Sequence, residues 1–189
     1  MPHHASAPLV YTISLREPTA QQAEIALDIP TDGRTPIDLL MPIWSPGFYR
    51  LEPYAEQVHD LAAHYPDGAA LAVERPAPNR WRIHAPERAP AIRVTYRLAC
   101  TSASVTTNWV GADYAILNGP ATFITLADAA PSRHELVVQL PDGWEHVYTG
   151  LPAVPGSSPL RYYADDFDSL VDAPIVAGRP IRSTFVVDG

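Results

Sequence analysis

The sequence predicts an all-β fold, an antiparallel β-sandwich of roughly ten short strands with little helix. Proline is the first reason, because 21 of the 189 residues are proline and so many prolines interrupt long helices. The second reason is that apolar and polar residues alternate with period two in most of the apolar runs. Turn residues separate these runs at intervals of about 8–12 residues, which is typical of sandwiches.

The first half of the chain contains the clearest strand patterns. In the segment 92–98, four apolar residues alternate with Arg93, Thr95 and Arg97, so the arginines are expected on a solvated face. The pattern is weaker after residue 51, where residues 53–56 could instead form one helical turn. The other strands predicted in this half are residues 11–15, 24–29, 37–41, 58–64, 69–73 and 80–84.

The second half alternates short strands with longer connections. Residues 101–111 are small and polar, which predicts a loop that Trp109 pins. Asn118-Gly119-Pro120 has the composition of a turn. The strands predicted in this half are residues 114–117, 122–126, 136–140 and 183–187.

We expect one domain. Residues 1–9 are predicted to be a disordered tail and residues 10–189 a single β-sandwich domain. Within it, residues 160–189 are expected to form a linker and last strand. The Pro/Gly/Ser-rich residues 150–159 precede that segment.

Composition excludes several classes of function. The formal net charge is −8, and without a basic stripe a nucleic-acid partner is not expected. No apolar run approaches the length of a membrane span, and the first residues do not form a signal peptide. We therefore expect no membrane partner and a cytoplasmic location, or a periplasmic one if a leader has been removed.

The residues that usually carry catalysis are not arranged for it. Zinc peptidases use His-Glu-x-x-His, and the nearest pair here, His59 and His64, is too far apart to share one helix face. The single cysteine, Cys100, is interpreted as a structural thiol. We therefore predict no catalytic residue, no metal ligand and no cofactor in this chain. One acidic group allows three interpretations: a solvated loop, a calcium site, or a face toward another domain. Its members are Asp165, Asp166, Asp168 and Asp172.

Aromatic residues are concentrated around one turn. Trp44, Phe48 and Tyr49 surround the sequence Ser-Pro-Gly at residues 45–47, where proline followed by glycine favours a type II turn. One interpretation is a corner anchored in the core. The other is a surface for a partner, since aromatic residues are enriched at interfaces.

Five separated segments carry recognisable motifs in a fixed order. They are Met-Pro-Ile-Trp-Ser-Pro-Gly-Phe-Tyr at 41–49, Asn-Arg-Trp-Arg-Ile at 79–83, Val-Thr-Tyr-Arg-Leu at 94–98, Leu-Asn-Gly-Pro-Ala-Thr-Phe-Ile at 117–124 and Tyr-Ala-Asp-Asp-Phe-Asp-Ser-Leu-Val-Asp-Ala-Pro-Ile at 163–175. Over about residues 10–187 the chain resembles the N-terminal β domain of the M61, or glycyl aminopeptidase, family of metallopeptidases.

The resemblance implies a non-catalytic accessory domain that packs on a zinc-containing peptidase domain of the same polypeptide and walls its substrate cleft. Residues 160–189 would then lead toward that catalytic domain, which is expected to be missing from this chain. Zinc and the catalytic residues would belong to that second domain. A homodimer through the surface left exposed is a further expectation. The residues implicated in the interface or cleft wall are Trp44, Phe48, Tyr49, Asn118, Gly119, Tyr163, Asp168 and Asp172.

The alternative function is a free-standing β-sandwich that binds carbohydrate or a protein ligand. Such a module would present an exposed aromatic platform, for which Trp44, Trp109 and Trp144 are the candidates.

Overall fold

The structure is a computed structural model. It describes residues 7–45, 47–48, 50–85, 89–128, 132–157, 160–179, 181, 183 and 186. Most of the predicted strand 183–187 and most of the predicted tail therefore lie outside the described residues. Within the described residues, no helix combines the length and apolar character needed to cross a bilayer.

The described residues form fifteen strands. In chain order they are β1 (Leu9–Ser14), β2 (Gln22–Pro30), β3 (Ile37–Leu40), β4 (Val58–His64), β5 (Ala70–Leu71), β6 (Val73–Ala77), β7 (Arg80–Ile83), β8 (Ala91–Ala99), β9 (Trp109–Val110), β10 (Tyr114–Leu117), β11 (Thr125–Leu126), β12 (His134–Gln139), β13 (His146–Thr149), β14 (Arg161–Ala164) and β15 (Ile175–Gly178).

The strands are arranged in three sheets. The largest has seven strands in the order β14-β12-β1-β2-β8-β4-β5, and the two others have four each, in the orders β13-β15-β10-β9 and β11-β3-β7-β6. This sandwich-like, mostly antiparallel arrangement confirms the predicted fold class. One pair is parallel, because β12 returns to lie beside β1 after a long excursion of the chain.

Helix is scarce, as predicted. The only α-helix in the described part of the chain is α1 (Phe167–Val171), and three 3₁₀ turns accompany it, at Pro18–Ala20, Tyr54–Gln57 and Gly119–Ala121. The second of these turns confirms the helical turn considered for residues 53–56. Helix α1 begins at Asp166, whose side chain accepts a hydrogen bond from Ser169 N (2.7 Å).

More strands form than the roughly ten predicted, for a simple reason. Strands β5 and β11 lie inside the predicted strands 69–73 and 122–126, whereas β9 lies in the predicted loop 101–111 and, with two residues, is too short for an alternating pattern to show. Strands β13, β14 and β15 and most of β6 were not predicted, although β15 lies in the middle of its sheet. Its side chains are mostly buried, and a short, nearly continuous apolar run carries no period-two pattern.

The core lies under the centre of the seven-stranded sheet. Strands β2 and β8 pair from Gln22–Ala99 to Pro30–Ala91, and their alternate side chains are buried. The opposite face is solvated, as predicted, and Arg93 there donates to Asp28 from Nε (2.7 Å). Burial of apolar side chains contributes about 25 cal/mol of folding free energy per Å² of surface removed from water. The β2–β8 pair therefore stabilises the sheet from which the loops extend.

Candidate functional site

The aromatic corner, residues 41–53, starts from a buried anchor. Met41 is fully buried, and its backbone N donates to Asn79 O (2.9 Å) while its carbonyl oxygen accepts from Asn79 Nδ2 (2.8 Å). The corner closes where Glu52 N donates to Ile43 O (2.8 Å). The chain is therefore held on both sides of the turn.

The turn itself has the geometry that the sequence indicated. Gly47 has a φ of 79°, a left-handed conformation that glycine adopts at no steric cost. Phe48 N donates to Ser45 O (3.2 Å) across the turn. Pro46 and Tyr49 lie outside the described residues, so the predicted role of Tyr49 stays a prediction.

The tip of the aromatic corner leaves apolar side chains in water. The exposed fractions are 43% for Ile43, 44% for Trp44 and 75% for Leu51. Phe48 is half-buried, and the Arg50 guanidinium lies over its ring at 4.5 Å from the centroid. The base of the corner is anchored in the core, as the first interpretation expects, and its tip faces outward. The second interpretation, a surface for a partner, stays a prediction.

A cavity of about 190 Å³ lies where the aromatic corner meets the loop after β8. Its lining contains one carboxylate together with amides, hydroxyls and small apolar groups: Glu52, Pro53, Tyr54, Gln57, Ala99, Thr101, Ser102, Thr107, Asn108 and Ala121. Only 10% of the Glu52 side chain is exposed. One of its oxygens accepts from Arg50 Nε, and the other has no partner among the described residues.

Asn118 organises the far side of this cavity. Its backbone N donates to Asn108 Oδ1 (2.8 Å), and its side-chain amide donates to the Thr107 carbonyl. Asn108 Nδ2 in turn donates to Ala121 O (2.9 Å). Asn118 and buried Asn108 therefore tie the loop before β9 to the 3₁₀ turn Gly119–Ala121, and the turn chemistry predicted at Asn118 has a structural role.

Gly119 is required by close packing against α1. A Cβ atom at this position would lie 2.7 Å from the carbonyl carbon of Val171 and would overlap its oxygen. The 3₁₀ turn that lines the cavity is therefore in direct contact with the end of helix α1. This contact links two groups of predicted site residues, those of the turn and those of the acidic segment.

The acidic residues around α1 divide into two kinds. Asp166 caps the helix, and hydrogen bonds from Ser169 lower the pKa of its carboxyl below the ordinary value. Asp168 and Asp172 are exposed. Asp172 lines a shallow groove of about 400 Å³ together with Tyr163, whereas Asp168 does not line it. Within the described residues, no group of three or more His, Cys, Asp or Glu side chains is arranged to hold a metal ion.

Beneath α1 lies a histidine that the sequence analysis did not single out. His134 is 3% exposed and its Nδ1 has no hydrogen-bond partner among the described residues. Its ring stacks on Tyr11 and contacts Phe167 of α1, with centroids 5.8 and 5.6 Å away. Burial lowers the pKa of His134 to about 4, and the charge of Asp166 opposes this shift.

The structure links the segments that carry the predicted site residues, although none of those residues that it describes lines the cavity itself. Glu52 of the aromatic corner and Ala121 of the 3₁₀ turn Gly119–Ala121 line the same cavity. Gly119 of that turn packs against Val171 at the end of α1.

The three tryptophans proposed as a binding platform are not equally exposed. Trp44 is 44% exposed, whereas Trp144 is 7% exposed and its Nε1 donates to Ala112 O (3.3 Å). Glu52 and Asn108 were missed, because both are buried polar residues in stretches without periodicity.

Comparison with solved structures relates this fold to aminopeptidases. An aminopeptidase N family protein from Idiomarina loihiensis superimposes with a TM-score of 0.86 and 22% identity, over 96% of this chain and 31% of that chain. An M1 zinc metallopeptidase variant from Deinococcus radiodurans, bound to a Tyr-Ser-Ala substrate, gives a TM-score of 0.56 and 8% identity, over 92% and 42%.

Aminopeptidase A from Legionella pneumophila, in complex with aspartic acid, gives a TM-score of 0.51 and 9% identity, over 92% of this chain and 21% of that chain. At these identities the likeness concerns the fold alone. The chain spans less than half the length of each of these proteins.

Comparison of the sequence with known protein families identifies the family of this chain. No curated protein sequence matches the chain. The family profile described as the Peptidase M61 N-terminal domain matches residues 10–179, which include all five motifs and every predicted site residue. This chain therefore belongs to the Peptidase M61 N-terminal domain family.

Proposed function

We propose that this chain is the non-catalytic accessory domain of an M61-like zinc aminopeptidase and packs on the catalytic domain of the same polypeptide. Two facts support this proposal: the family of the chain, and the greater length of the aminopeptidases that share its fold. The described residues offer no arrangement that fits a zinc centre. The proposal therefore assigns zinc and bond cleavage to the other domain.

The observation that carries the proposal is the exposed tip of the aromatic corner. Ile43, Trp44 and Leu51 place apolar surface in water on a loop whose base is rigidly anchored. Isolated exposed apolar residues are common, but a cluster that includes tryptophan is typical of an interface. In this proposal the catalytic domain covers the tip.

The Asn118-Gly119 turn and the groove beside α1 supply the proposed wall of the substrate cleft. Asn118 and Gly119 shape the turn, and Tyr163 and Asp172 line the groove beside α1, with Asp168 exposed on the helix. Carboxylates on such a wall attract the positively charged amino terminus of a peptide over several ångströms. Substrate attraction, rather than chemistry, is the role proposed for these residues.

The first experiment measures hydrolysis of glycyl and alanyl substrates by the purified chain with added zinc, together with its metal content. We expect neither turnover nor stoichiometric metal. Zinc-dependent turnover would show that this chain contains a catalytic site and would overturn the proposal.

The second experiment mixes the chain with the separately produced zinc domain of the parent peptidase and measures association by sedimentation. Trp44→Ser and Leu51→Ser are expected to weaken association, since they remove apolar contact area. Tyr114→Ser is the matched control, because Tyr114 has a similar exposure of 43% but lies on β10. Equal binding by all three variants would place the interface elsewhere. The variants also show whether any self-association of the isolated chain uses the same tip.

A further inference from the structure

We propose that the cavity beside the aromatic corner binds the cationic head of a lysine or arginine side chain from the domain that packs there. The inference rests on the proposed function, because it names the group that the partner would insert. It goes further by assigning a ligand chemistry to Glu52, a residue that neither the family motifs nor the acidic segment includes.

The first argument is the state of the Glu52 carboxylate. Its side chain is only 10% exposed, and a buried charge is costly unless it is paired. Arg50 engages one oxygen, but Arg50 itself is 65% exposed and also lies over the Phe48 ring. The second oxygen accepts no hydrogen bond from a described residue, it is not among the fully buried polar atoms, and Glu52 lines the cavity. A donor that enters the cavity would therefore replace water at this oxygen and add a second partner to the carboxylate.

The second argument is the chemistry of the rest of the lining. Thr101, Ser102, Thr107 and Gln57 also line the cavity, and each of their side chains carries an oxygen atom that can accept a hydrogen bond. An ammonium or guanidinium group carries several donors and no acceptor, so it matches such a lining. The small apolar members of the lining, such as Ala99 and Ala121, suit the methylene stem that precedes the charged head.

The third argument is position and charge. The cavity begins at Glu52, the residue after Leu51, which is the most exposed apolar residue of the corner at 75%. A surface that covers Leu51 would also reach the cavity mouth. The chain has a formal net charge of −8, which favours approach of a basic partner surface.

The binding test uses the isotope-labelled chain and small probes. N-acetyl-lysine amide and N-acetyl-arginine amide are titrated while backbone amide shifts of Glu52, Thr107 and Ala121 are followed by NMR. We expect saturable shifts at these residues and none with N-acetyl-norleucine amide, which has a similar stem but no charge. Absence of saturable shifts with both cationic probes would overturn the inference.

Variants separate the charge from the shape. Glu52→Gln is expected to weaken probe binding by about tenfold or more, as for loss of a charged hydrogen bond. Glu56→Gln is the matched control, since Glu56 is exposed on the 3₁₀ turn Tyr54–Gln57, close to Glu52 in sequence, but does not line the cavity. Ala99→Leu leaves the carboxylate in place and fills the cavity, so it should abolish binding even if Glu52→Gln proves unstable. Unchanged binding in Ala99→Leu would contradict the proposed location.

Glycinamide distinguishes a side chain from a free amino terminus. It carries an ammonium group without a long stem, and we expect at most weak shifts at the cavity. If glycinamide binds there and the lysine probe does not, the cavity recognises a peptide terminus and the inference is wrong.

Failure here is distinguishable from failure of the proposed function. If the chain binds its zinc domain equally well with Glu52→Gln, the cavity inference fails while the domain assignment stands. If the lysine probe binds but the zinc domain does not associate, the domain assignment fails instead.

Discussion

The core beneath β1, β2 and β8 and the aromatic corner are both rich in large apolar residues, but only the core buries them. Leu27 and Tyr96 in the core are at most 2% exposed, whereas Trp44 and Leu51 at the corner are 44% and 75% exposed. The core residues follow strict alternation along paired strands. The corner residues follow a turn, which is held by hydrogen bonds from Phe48 N to Ser45 O (3.2 Å) and from Glu52 N to Ile43 O (2.8 Å).

This contrast shows that a concentration of aromatic residues in a sequence does not by itself indicate burial, whereas strict alternation along a paired strand does. In the core, the pleat of β2 and β8 directs alternate side chains inward. At the corner, no pleat does so, and the backbone is stable with its side chains in water. A surface of this kind is available for a partner at little cost to folding, which suits an accessory domain.

The comparison is tested most strongly by truncating one leucine in each region. Leu27→Ala should lower the free energy of unfolding by about 4 kcal/mol, because a fully buried side chain leaves a cavity in a packed core. Leu51→Ala should change it by less than about 0.5 kcal/mol, since the side chain is already in water. Urea denaturation followed by circular dichroism measures both. A large loss in Leu51→Ala would mean that the tip is structural after all.

The pH dependence of stability tests the packing of α1 on the core. His134 has a pKa of about 4 in the folded chain and about 6.5 when unfolded, so the unfolded state binds more protons between these values. The stability associated with the neutral ring is therefore complete above about pH 6.5 and is lost as the pH falls toward 4, by about 3 kcal/mol in all.

His134→Phe should remove this pH dependence, because phenylalanine preserves the ring contacts with Tyr11 and Phe167 and does not titrate. The neighbouring Asp166 titrates below its ordinary range, outside this window. His59→Phe is the control, since His59 is exposed on β4. Denaturation midpoints at several pH values measure the slopes, and equal slopes in the two variants would contradict the assignment to His134.

Sequence patterns predicted the parts of the molecule that are local. The alternation in β8 predicted both its burial and its solvated arginines, and Pro46-Gly47 predicted the turn at the corner. The parallel pairing of β1 with β12 was not predictable, because it joins segments more than a hundred residues apart. The Glu52 cavity depends likewise on three separate loops meeting, which no local pattern records.

A comparison of two glycines tests the contact between the 3₁₀ turn Gly119–Ala121 and helix α1. Gly119→Ala should destabilise the chain by about 2 kcal/mol, since the added methyl overlaps the backbone of Val171 and rigid neighbours cannot move far. Gly150→Ala is the matched control, because its Cβ would meet only the Ala173 side chain, at 3.9 Å. Thermal unfolding distinguishes them. If Gly119→Ala were as stable as the control, α1 would have to shift away from the turn easily.

The smallest expected difference in the free energy of unfolding concerns two tyrosine hydroxyls. One is that of Tyr96 in the core, and the other is that of Tyr54, which contacts the aromatic corner at Ser45. Tyr96 OH donates to Thr122 O (2.8 Å) and accepts from Ile124 N (3.3 Å). In Tyr96→Phe both buried backbone groups lose this partner, so unfolding should become easier by about 1–2 kcal/mol. Tyr54 OH at the corner pairs with the Ser45 hydroxyl (2.6 Å), which is half-buried and can turn to water.

Tyr54→Phe should therefore cost only about 0.5 kcal/mol, within the usual range for a partly solvated hydrogen bond. Chemical denaturation of both variants at pH 7 gives the comparison, and neither substitution changes the apolar ring that packs. Because the two changes remove the same atom, their difference isolates the effect of leaving buried partners unsatisfied. If Tyr54→Phe lowered the free energy of unfolding as much as Tyr96→Phe, the base of the corner would exclude water as well as the core does. Only the tip of the corner would then be accessible to a partner.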